Sequence, residues 1–430
     1  MKRKKILSIL LASAMIGTAP ASAWAADFTD TNVVDAEEVT EEATEEDVPE
    51  QQEDDAESID LEADDAEDLS QDEDAAAVST QESEDPFSAG EAVAAFADGE
   101  ESGDLTLAGT GTEADPYLVT STADIQAVAD YVNNGKGTFA NQYLKFTEDI
   151  TLPEGWTPIG ETIDGTNDIK RGQNLRAFSG ILDGQNHTIT VPEGGLPLLG
   201  YVKGAEVRNL NIYGTKIAGY GLINNLEGVG LSGKAVLLDN ITLKSGSSTL
   251  KSGLLGANIT TNPYGGCSAK FLATVQNCTI EDGVVIGYNK DQSIIGSIAG
   301  RFNGTISNCT SNATVYGINY VGGIMGMRDN SMGDNYVTGC TFGGTVEASG
   351  QNAGGIVAGG YMDNTMSAPN AYRLNVNNCT STGTITGADN VGGIFGGDIM
   401  VAQAWNAYTF KNNTFTGKVN ATNGTNVGGI

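Results

Sequence analysis

From residue 105 onward, short apolar runs alternate with turn-forming Gly and Asn residues, and this pattern repeats along the chain. One repeated element reads apolar-Gly-small-apolar. Its copies begin at Ile295, Val321, Ala353, Val391 and Val427, and Ser252-Gly253-Leu254-Leu255-Gly256 is an earlier relative. A second element precedes each copy, as Asn277-Cys278-Thr279, Asn308-Cys309-Thr310, Gly339-Cys340-Thr341, Asn378-Cys379-Thr380 and Asn412-Asn413-Thr414. Brief apolar runs between such turn formers predict many short strands.

A unit of this size cannot enclose a core by itself, so the units are predicted to stack on one another. Each unit supplies two or three short strands, and stacking would align them in parallel sheets about 4.8 Å apart along a solenoid axis. Glycines would supply the positive-φ corners between sheets. The repeat length varies from rung to rung, which suits rungs that keep their strands and change their loops. The pattern predicts an all-β solenoid.

One helix is predicted near the start of this region. Ser121 or Thr122 can cap it, Asp124 lies in its first turn, and apolar residues recur at helical spacing. These residues are Ile125, Val128, Ala129 and Val132. Because a solenoid needs a polar-faced cap, we expect this helix to close the N-terminal end of the stack. The chain stops within a repeat, so we expect further sequence, with a cell-wall anchor, a catalytic module or more repeats.

The N-terminus predicts export. Lys2, Arg3, Lys4 and Lys5 precede an apolar run from Ile6 to about Ala19, and small residues follow. This is the layout of a secretory signal peptide, with cleavage expected after Ala25. No later stretch reaches the roughly 18 apolar residues of a membrane span. The protein is expected to be secreted or extracellular, at the cell surface.

The net charge of −34 is concentrated in one segment. Residues 27–104 hold 32 of the 56 Asp and Glu residues and no Lys or Arg. Such a block repels itself and buries too little apolar surface to fold, so residues 26–104 are predicted to be a disordered spacer. Two more specific alternatives for this segment are a removable pro-segment and a cation-binding acidic arm. The strong acidity disfavours nucleic acid as a partner.

Four of the five cysteines share one repeat position, namely Cys278, Cys309, Cys340 and Cys379. We expect them to form an inward ladder of reduced, buried side chains, since free Cys behaves as a small apolar residue. Pairing into disulfides stays an alternative, because stacked Cα atoms would lie within bonding range. Cys267 lies outside the pattern. No metal site and no cofactor are predicted.

The excursions between repeats suggest a binding site. Three long ones, 327–338, 359–377 and 397–411, each end near a tyrosine. Because Tyr336, Tyr372 and Tyr408 are 36 residues apart, we expect them to form a column on one side of the solenoid, near Tyr361 and Trp405. The hypothesis is a lateral face that binds a glycan or a host surface protein. The alternative is that the tyrosines only brace the loops.

Catalysis is not expected. Asp329, Asp334, Asp363 and Asp398 lie in the same loops, with Arg328 and Arg373 as nearby bases. Glycoside hydrolysis and lyase chemistry need acids at defined spacing, and no acid pair recurs here. His187 is the only histidine, and its role is expected to be structural, because no nucleophile accompanies it.

The repeats resemble GLUG repeats, which occur in large exported bacterial proteins, including immunoglobulin A peptidases and adhesin-like surface proteins. The preceding segment resembles the usual entry to such domains in three places, which are Gly109–Tyr117, Trp156–Gly160 and Phe178–Ile189. The resemblance covers most of 109–430 and implies a right-handed parallel β-helix of the pectate-lyase type. It does not imply an activity, since fold alone does not give function.

The expected organisation is a signal peptide (1–25), an acidic disordered spacer (26–104), an N-terminal cap with the first β-helix rungs (105–250) and GLUG-like rungs (251–430). The expected role is non-catalytic adhesion, ligand binding or a stalk. Two alternatives remain, a carbohydrate-active enzyme and a non-catalytic extension of a larger secreted peptidase.

Overall fold

One α-helix and 31 strands make up the regular structure of the residues that the computed structural model describes. These are residues 105–160, 176–227, 235–256, 273–328, 333–360, 372–397 and 408–429. All of them belong to one unit of the chain, Glu91–Ile430. The predicted signal peptide and acidic spacer lie outside the described residues, as does Cys267.

The elements of the N-terminal part are β1 (Tyr117–Val119), α1 (Thr122–Asn133), β2 (Tyr143–Phe146), β3 (Ile150–Thr151), β4 (Ile181–Asp183), β5 (Thr188–Val191), β6 (Leu199–Lys203), β7 (Glu206–Gly214), β8 (Ile223–Glu227), β9 (Leu237–Leu243) and β10 (Ser248–Thr249).

The strands of the C-terminal part are β11 (Ala273–Gln276), β12 (Thr279–Ile280), β13 (Val285–Ile286), β14 (Ile295–Gly296), β15 (Ala299–Phe302), β16 (Gly304–Ser307), β17 (Thr310–Ser311), β18 (Thr314–Gly317), β19 (Val321–Gly322), β20 (Met325–Arg328), β21 (Gly333–Thr338), β22 (Thr341–Phe342), β23 (Thr345–Ala348), β24 (Ala353–Gly354), β25 (Val357–Gly359), β26 (Tyr372–Asn377), β27 (Thr380–Ser381), β28 (Thr384–Gly392), β29 (Tyr408–Lys411), β30 (Thr414–Phe415) and β31 (Lys418–Gly428).

The strands stack in parallel register into a β-helix, which confirms the predicted fold class. A 17-stranded sheet A carries the paired short strands such as β16 and β17, and a nine-stranded sheet C carries β18, β19 and their equivalents. Sheet B contains β15, β20 and β25, with β6 and β8 joined to them through single bridges at Leu255. Each complete rung runs from sheet A through C to B. Crossovers between parallel strands adopt the right-handed sense in nearly all proteins.

The predicted helix is present with its predicted cap. The Ser121 side chain accepts a hydrogen bond from the Asp124 N–H, and the helix buries the four predicted apolar residues. Burial alone would raise the pKa of Asp124, but hydrogen bonds from Thr120 and Ser121 lower it. An ionised carboxylate in the first turn favours the helix, because the N-terminal end of the helix dipole is positive.

An asparagine turn sets the bend within sheet A. Residues two positions before the outward threonines, or before Asn211 in one rung, adopt left-handed φ values near 55°, a region that Asn tolerates better than other non-glycine residues. They are Asn209, Asn240, Asn277, Asn308, Asn378 and Asn412, with Gly339 in one rung. Some carboxamides bond to the next rung, as from Asn240 Nδ2 to Asn209 Oδ1 at 2.9 Å. The Asn of the repeated Asn-Cys-Thr element is therefore a backbone requirement.

The solenoid interior is filled by matched columns. The glycines of the apolar-Gly-Gly-apolar element lie against the residue that follows the outward threonine in sheet A. A β-carbon at Gly323 would lie 2.7 Å from a ring atom of Phe342, and one at Gly355 would overlap the Ser381 hydroxyl. Close packing of this kind leaves no space for an added methyl group.

Candidate ligand-binding face

The long excursions all connect sheet B to sheet A. They leave after β20, after Gly360 and after Gly397, and they re-enter at β21, β26 and β29. Their starting strands are neighbours, since Met327 is in register with Gly359. Their returning strands are neighbours as well, since Gly333 is in register with Tyr372. The described ends of the three excursions therefore share one edge of the solenoid, which we call the excursion corner (residues 327–328, 333–338, 359–360, 372–377, 397 and 408–411).

The expected column of tyrosines is wrong. Tyr336 is in register with Asn375, and Asn375 is in register with Thr409. Tyr372 pairs with Gly333 instead, and Tyr408 pairs with Leu374. Adjacent rungs differ in length here, being 39 residues from 336 to 375 and 34 from 375 to 409. The equal spacing of 36 in the sequence therefore matches neither rung, and the three tyrosines occupy three register positions.

Tyr336 is the predicted site residue that the structure shows on the surface. Its side chain is 40% exposed and points outward from β21. The Tyr336 hydroxyl lies 3.0 Å from Asp334 Oδ2, two residues earlier on the same strand. Tyr336 donates this hydrogen bond. An exposed aromatic ring is a usual component of ligand-binding surfaces.

Tyr408 has a packing role. Its ring centroid lies 6.1 Å from that of Phe395 at an interplanar angle of 55°. A β-carbon at Gly360 would overlap the Tyr408 hydroxyl, so the ring occupies the space that this glycine leaves. Burial raises the pKa of Tyr408, against the opposing effect of the Arg328 guanidinium. These contacts fit the alternative interpretation of the tyrosines, in which the ring packs against the solenoid.

The remaining predicted site residues cannot be placed. Tyr361 and Trp405 lie outside the described residues, and only the backbone of Tyr372 is described. Of the four loop aspartates, Asp334 is described, whereas Asp329, Asp363 and Asp398 are not. Among the described residues, no group of three or more His, Cys, Asp or Glu side chains could hold a metal ion.

Sequence reasoning missed two buried polar side chains at the described ends of the first excursion. Arg328 is only 1% exposed and is in register with the core residue Phe302. Asn335 is fully buried, and its Oδ1 accepts the Gly304 N–H at 2.8 Å. The burial of Arg328 could not be read from the sequence, because a charged residue at the end of the apolar strand β20, directly before an excursion, is expected to be exposed.

His187 has a structural partner in the described structure. Its Nδ1 lies 3.2 Å from Asp149 Oδ1, which also accepts the Thr188 N–H at 2.8 Å. The Thr188 hydrogen bond, followed by the interaction with His187, lowers the pKa of the Asp149 carboxyl. His187 directly precedes β5 and Asp149 directly precedes β3, so the pair joins the starts of two neighbouring strands. This agrees with the structural role predicted for this histidine.

The four repeat cysteines form the predicted inward ladder. Cys278, Cys309, Cys340 and Cys379 are free thiols and are at most 1% exposed. Each thiol contacts the carbonyl of the residue two positions before it, as from Cys379 Sγ to Asn377 O at 3.3 Å. The hydrogen bond with the neighbouring Cys309 thiol and burial raise the pKa of Cys340 to about 12. A thiol of this kind is an inert core group, since the thiolate is the reactive form.

None of the helices within the described ranges has the length and apolarity needed to cross a bilayer.

No protein-family model matches the chain, so the resemblance to GLUG repeats stays a prediction. A part of the chain is 26% identical over 235 residues to halomucin from Haloquadratum walsbyi. That match covers 53% of this chain and 2% of halomucin, so the chain spans a small fraction of this relative.

A solved structure is also similar to the chain. It is a crystal structure from Bacteroides ovatus that was named a "putative immunoglobulin A1 protease". The match covers 74% of this chain and 86% of that chain, at 17% sequence identity and a TM-score of 0.42.

Proposed function

We propose that this chain is an exported surface protein whose β-helix is a non-catalytic ligand-binding module. The ligand is a glycan or a host surface protein, and the excursion corner with Tyr336 is the binding site. The basic and apolar N-terminus supports export, and the partial similarity to a protein named halomucin is compatible with an extracellular role.

The exposed ring of Tyr336 is the observation that carries this proposal. Apart from it, the exposed large hydrophobic residues within the described ranges are Leu196, Tyr213, Ile318 and Val427. Tyr336 alone among these lies where the excursions return to sheet A. An amphipathic aromatic ring beside a carboxylate can stack on a sugar ring and accept hydrogen bonds from its hydroxyls.

The test is a screen of the full chain against a glycan array and immobilised mucin, with bound ligand and cleaved products scored together. Tyr336→Ala should weaken binding about fivefold, because a stacked aromatic contributes roughly 1 kcal/mol. Tyr213→Ala is the matched control, since Tyr213 is equally exposed at 39% but lies on β7 in the N-terminal part. Equal loss in both variants, or cleaved products, would contradict the proposal.

Export is tested separately by expressing the chain in a secreting bacterial host and sequencing the N-terminus of the recovered protein. Recovery from the medium or the cell surface, with a new N-terminus at Ala26, is the expected result. An intact Met1 in protein retained inside the cell would contradict it.

A further inference from the structure

The outer surface of sheet A in the C-terminal rungs carries three columns of side chains in register. The first column contains Thr274, Thr305, Tyr336, Asn375 and Thr409. The second contains Gln276, Ser307, Thr338, Asn377 and Lys411. The third contains Thr279, Thr310, Thr341, Thr380 and Thr414. We call these fifteen residues the threonine face.

The threonine face is almost free of charge. Nine of its fifteen side chains are Thr, and Lys411 in the last rung is its one ionisable group apart from the Tyr336 phenol. The second column becomes charged when it is followed back through sheet A, where it contains Lys145, Asp183, Arg208 and Asp239. The chemistry of the column thus changes at β11. A chain with a net charge of −34 has an uncharged polar surface on these rungs.

The hydroxyls of this face are available to a ligand. Within the described part of the chain, the hydroxyl groups of Thr310, Thr341 and Thr380 make no hydrogen bond to another residue, and their side chains are partly exposed. Each hydroxyl can both donate and accept. By the spacing of parallel strands, the five rungs present them over about 19 Å, with a repeat of about 4.8 Å.

Resting on the proposed function, we propose that the threonine face binds a neutral polysaccharide with Tyr336 as its aromatic platform. Sugar hydroxyls would exchange hydrogen bonds with the threonines and with Asn375 and Asn377, while a pyranose C–H face stacks on the Tyr336 ring. Tyr336 lies in the middle rung of its column, between Thr305 and Asn375. An anionic polysaccharide fits less well, because the face offers a single cation and Asp334 borders it.

The experiment measures the affinity of the full chain for three polysaccharides of matched length, which are galactomannan, xyloglucan and polygalacturonate. Thr310→Val with Thr341→Val removes two hydroxyls and keeps a β-branched shape. Thr314→Val with Thr345→Val is the matched control, because these residues occupy the outward column of sheet C in the same two rungs. Circular dichroism checks that all variants fold.

The expected result is binding of a neutral polysaccharide that persists in about 0.5 M salt, since no ion pair carries it. The Thr310/Thr341 variant should bind about tenfold more weakly, whereas the Thr314/Thr345 control should bind as the parent does. Binding that Tyr336→Ala weakens but the Thr310/Thr341 variant leaves unchanged overturns this inference and leaves the proposed function standing. Binding of polygalacturonate alone has the same consequence, and failure to bind any glycan, mucin or protein overturns both.

Discussion

The rungs before residue 257 and those after residue 272 share one architecture but differ in their side-chain chemistry. In the earlier rungs, Asp183 Oδ2 lies 3.0 Å from Arg208 Nε, and Arg208 also contacts Glu206 at 2.8 Å. In the later rungs the same column is neutral except for Lys411. The core position next to the asparagine turn changes from Leu210 and Ile241 to cysteine in four rungs, with Asn413 in the last. The parallel backbone ladder is common to both, so the stacking itself does not depend on either set of side chains.

The comparison shows where each part obtains its specificity. In the earlier rungs, charges of opposite sign on adjacent strands favour one pairing, as cross-strand ion pairs do in other sheets. In the later rungs, the glycines of the apolar-Gly-Gly-apolar element allow neighbouring rungs to approach closely. The side chain that follows the outward threonine, such as Phe342 opposite Gly323, fills the space beside them.

Gly355→Ala should be the most destabilising change, because the new methyl group would overlap the Gly393 carbonyl oxygen of the next rung. The expected loss in free energy of unfolding is about 3 kcal/mol, as for overpacked cores. Chemical denaturation followed by circular dichroism measures it. Gly429→Ala is the matched control in the last copy of the element, where the nearest atom is Phe415 Cδ1 at 3.7 Å. Equal stability of the two variants would refute the role of close layer contact.

Asp183→Asn should destabilise the earlier rungs by about 2 kcal/mol, because the carboxylate accepts hydrogen bonds from Arg208, Asn209 and the Gln185 N–H. Glu193→Gln serves as the control, since its pair with Lys216 is more than 60% exposed on both sides and should contribute nothing measurable. Hydrogen exchange by mass spectrometry locates the loss. A loss spread equally over both parts would contradict the assignment.

Acid should loosen the earlier rungs first. Burial alone would raise the pKa of Asp183, but hydrogen bonds from Gln185, Asn209 and Arg208 lower it below its ordinary value of 3.8. A depressed carboxyl pKa contributes stability above pH 3.8 that is lost as the pH falls toward the folded-state value. In a variant with Trp24→Phe and Trp405→Phe, Trp156, which is 3% exposed, reports this part by fluorescence. If the rungs after residue 272 opened at a higher pH than the one at which Trp156 becomes exposed, this account would be wrong.

The cysteine ladder should be unreactive until the later rungs open. In a Cys267→Ser variant, Ellman's reagent should modify none of the four ladder thiols in the native protein and all four in denaturant. Burial and the raised pKa values of Cys309, Cys340 and Cys379 are the reasons. The Asp183→Asn variant is the control, because it should destabilise only the earlier rungs and leave the reaction rate of the ladder thiols unchanged. Rapid modification in native buffer would show that the ladder is open.

Gly339→Asn should give the smallest effect, a gain of about 0.5 kcal/mol in the free energy of unfolding. Gly339 has φ +64°, close to the values of Asn308 and Asn378 on either side. Its new β-carbon would meet only the end of the Asn308 carboxamide, at 2.6 Å, which can turn aside. Gly339→Ala lacks the carboxamide and tolerates this φ poorly, so it should destabilise. If Gly339→Asn lost as much free energy of unfolding as Gly339→Ala, the asparagine turn would not extend through this rung.

The fold could be predicted because its determinants repeat. The buried face of α1, the inward cysteines and the parallel stacking followed from patterns that return along the chain. The tyrosine column failed because it assumed equal rung lengths, whereas the rungs that contain Tyr336 and Tyr408 differ by several residues. Rung length is set by the excursions, and these have no repeating pattern to read.

The sequence by itself determined which residues turn, which face inward and how the rungs follow one another, because these properties depend on local backbone preference and on the alternation of side chains. Only the tertiary structure decided which outward residues become neighbours, since register joins residues that lie 30 to 40 positions apart. The threonine face and the charged column around Asp183 and Arg208 are therefore products of stacking. Single rungs contain their residues, but only the solenoid brings them together.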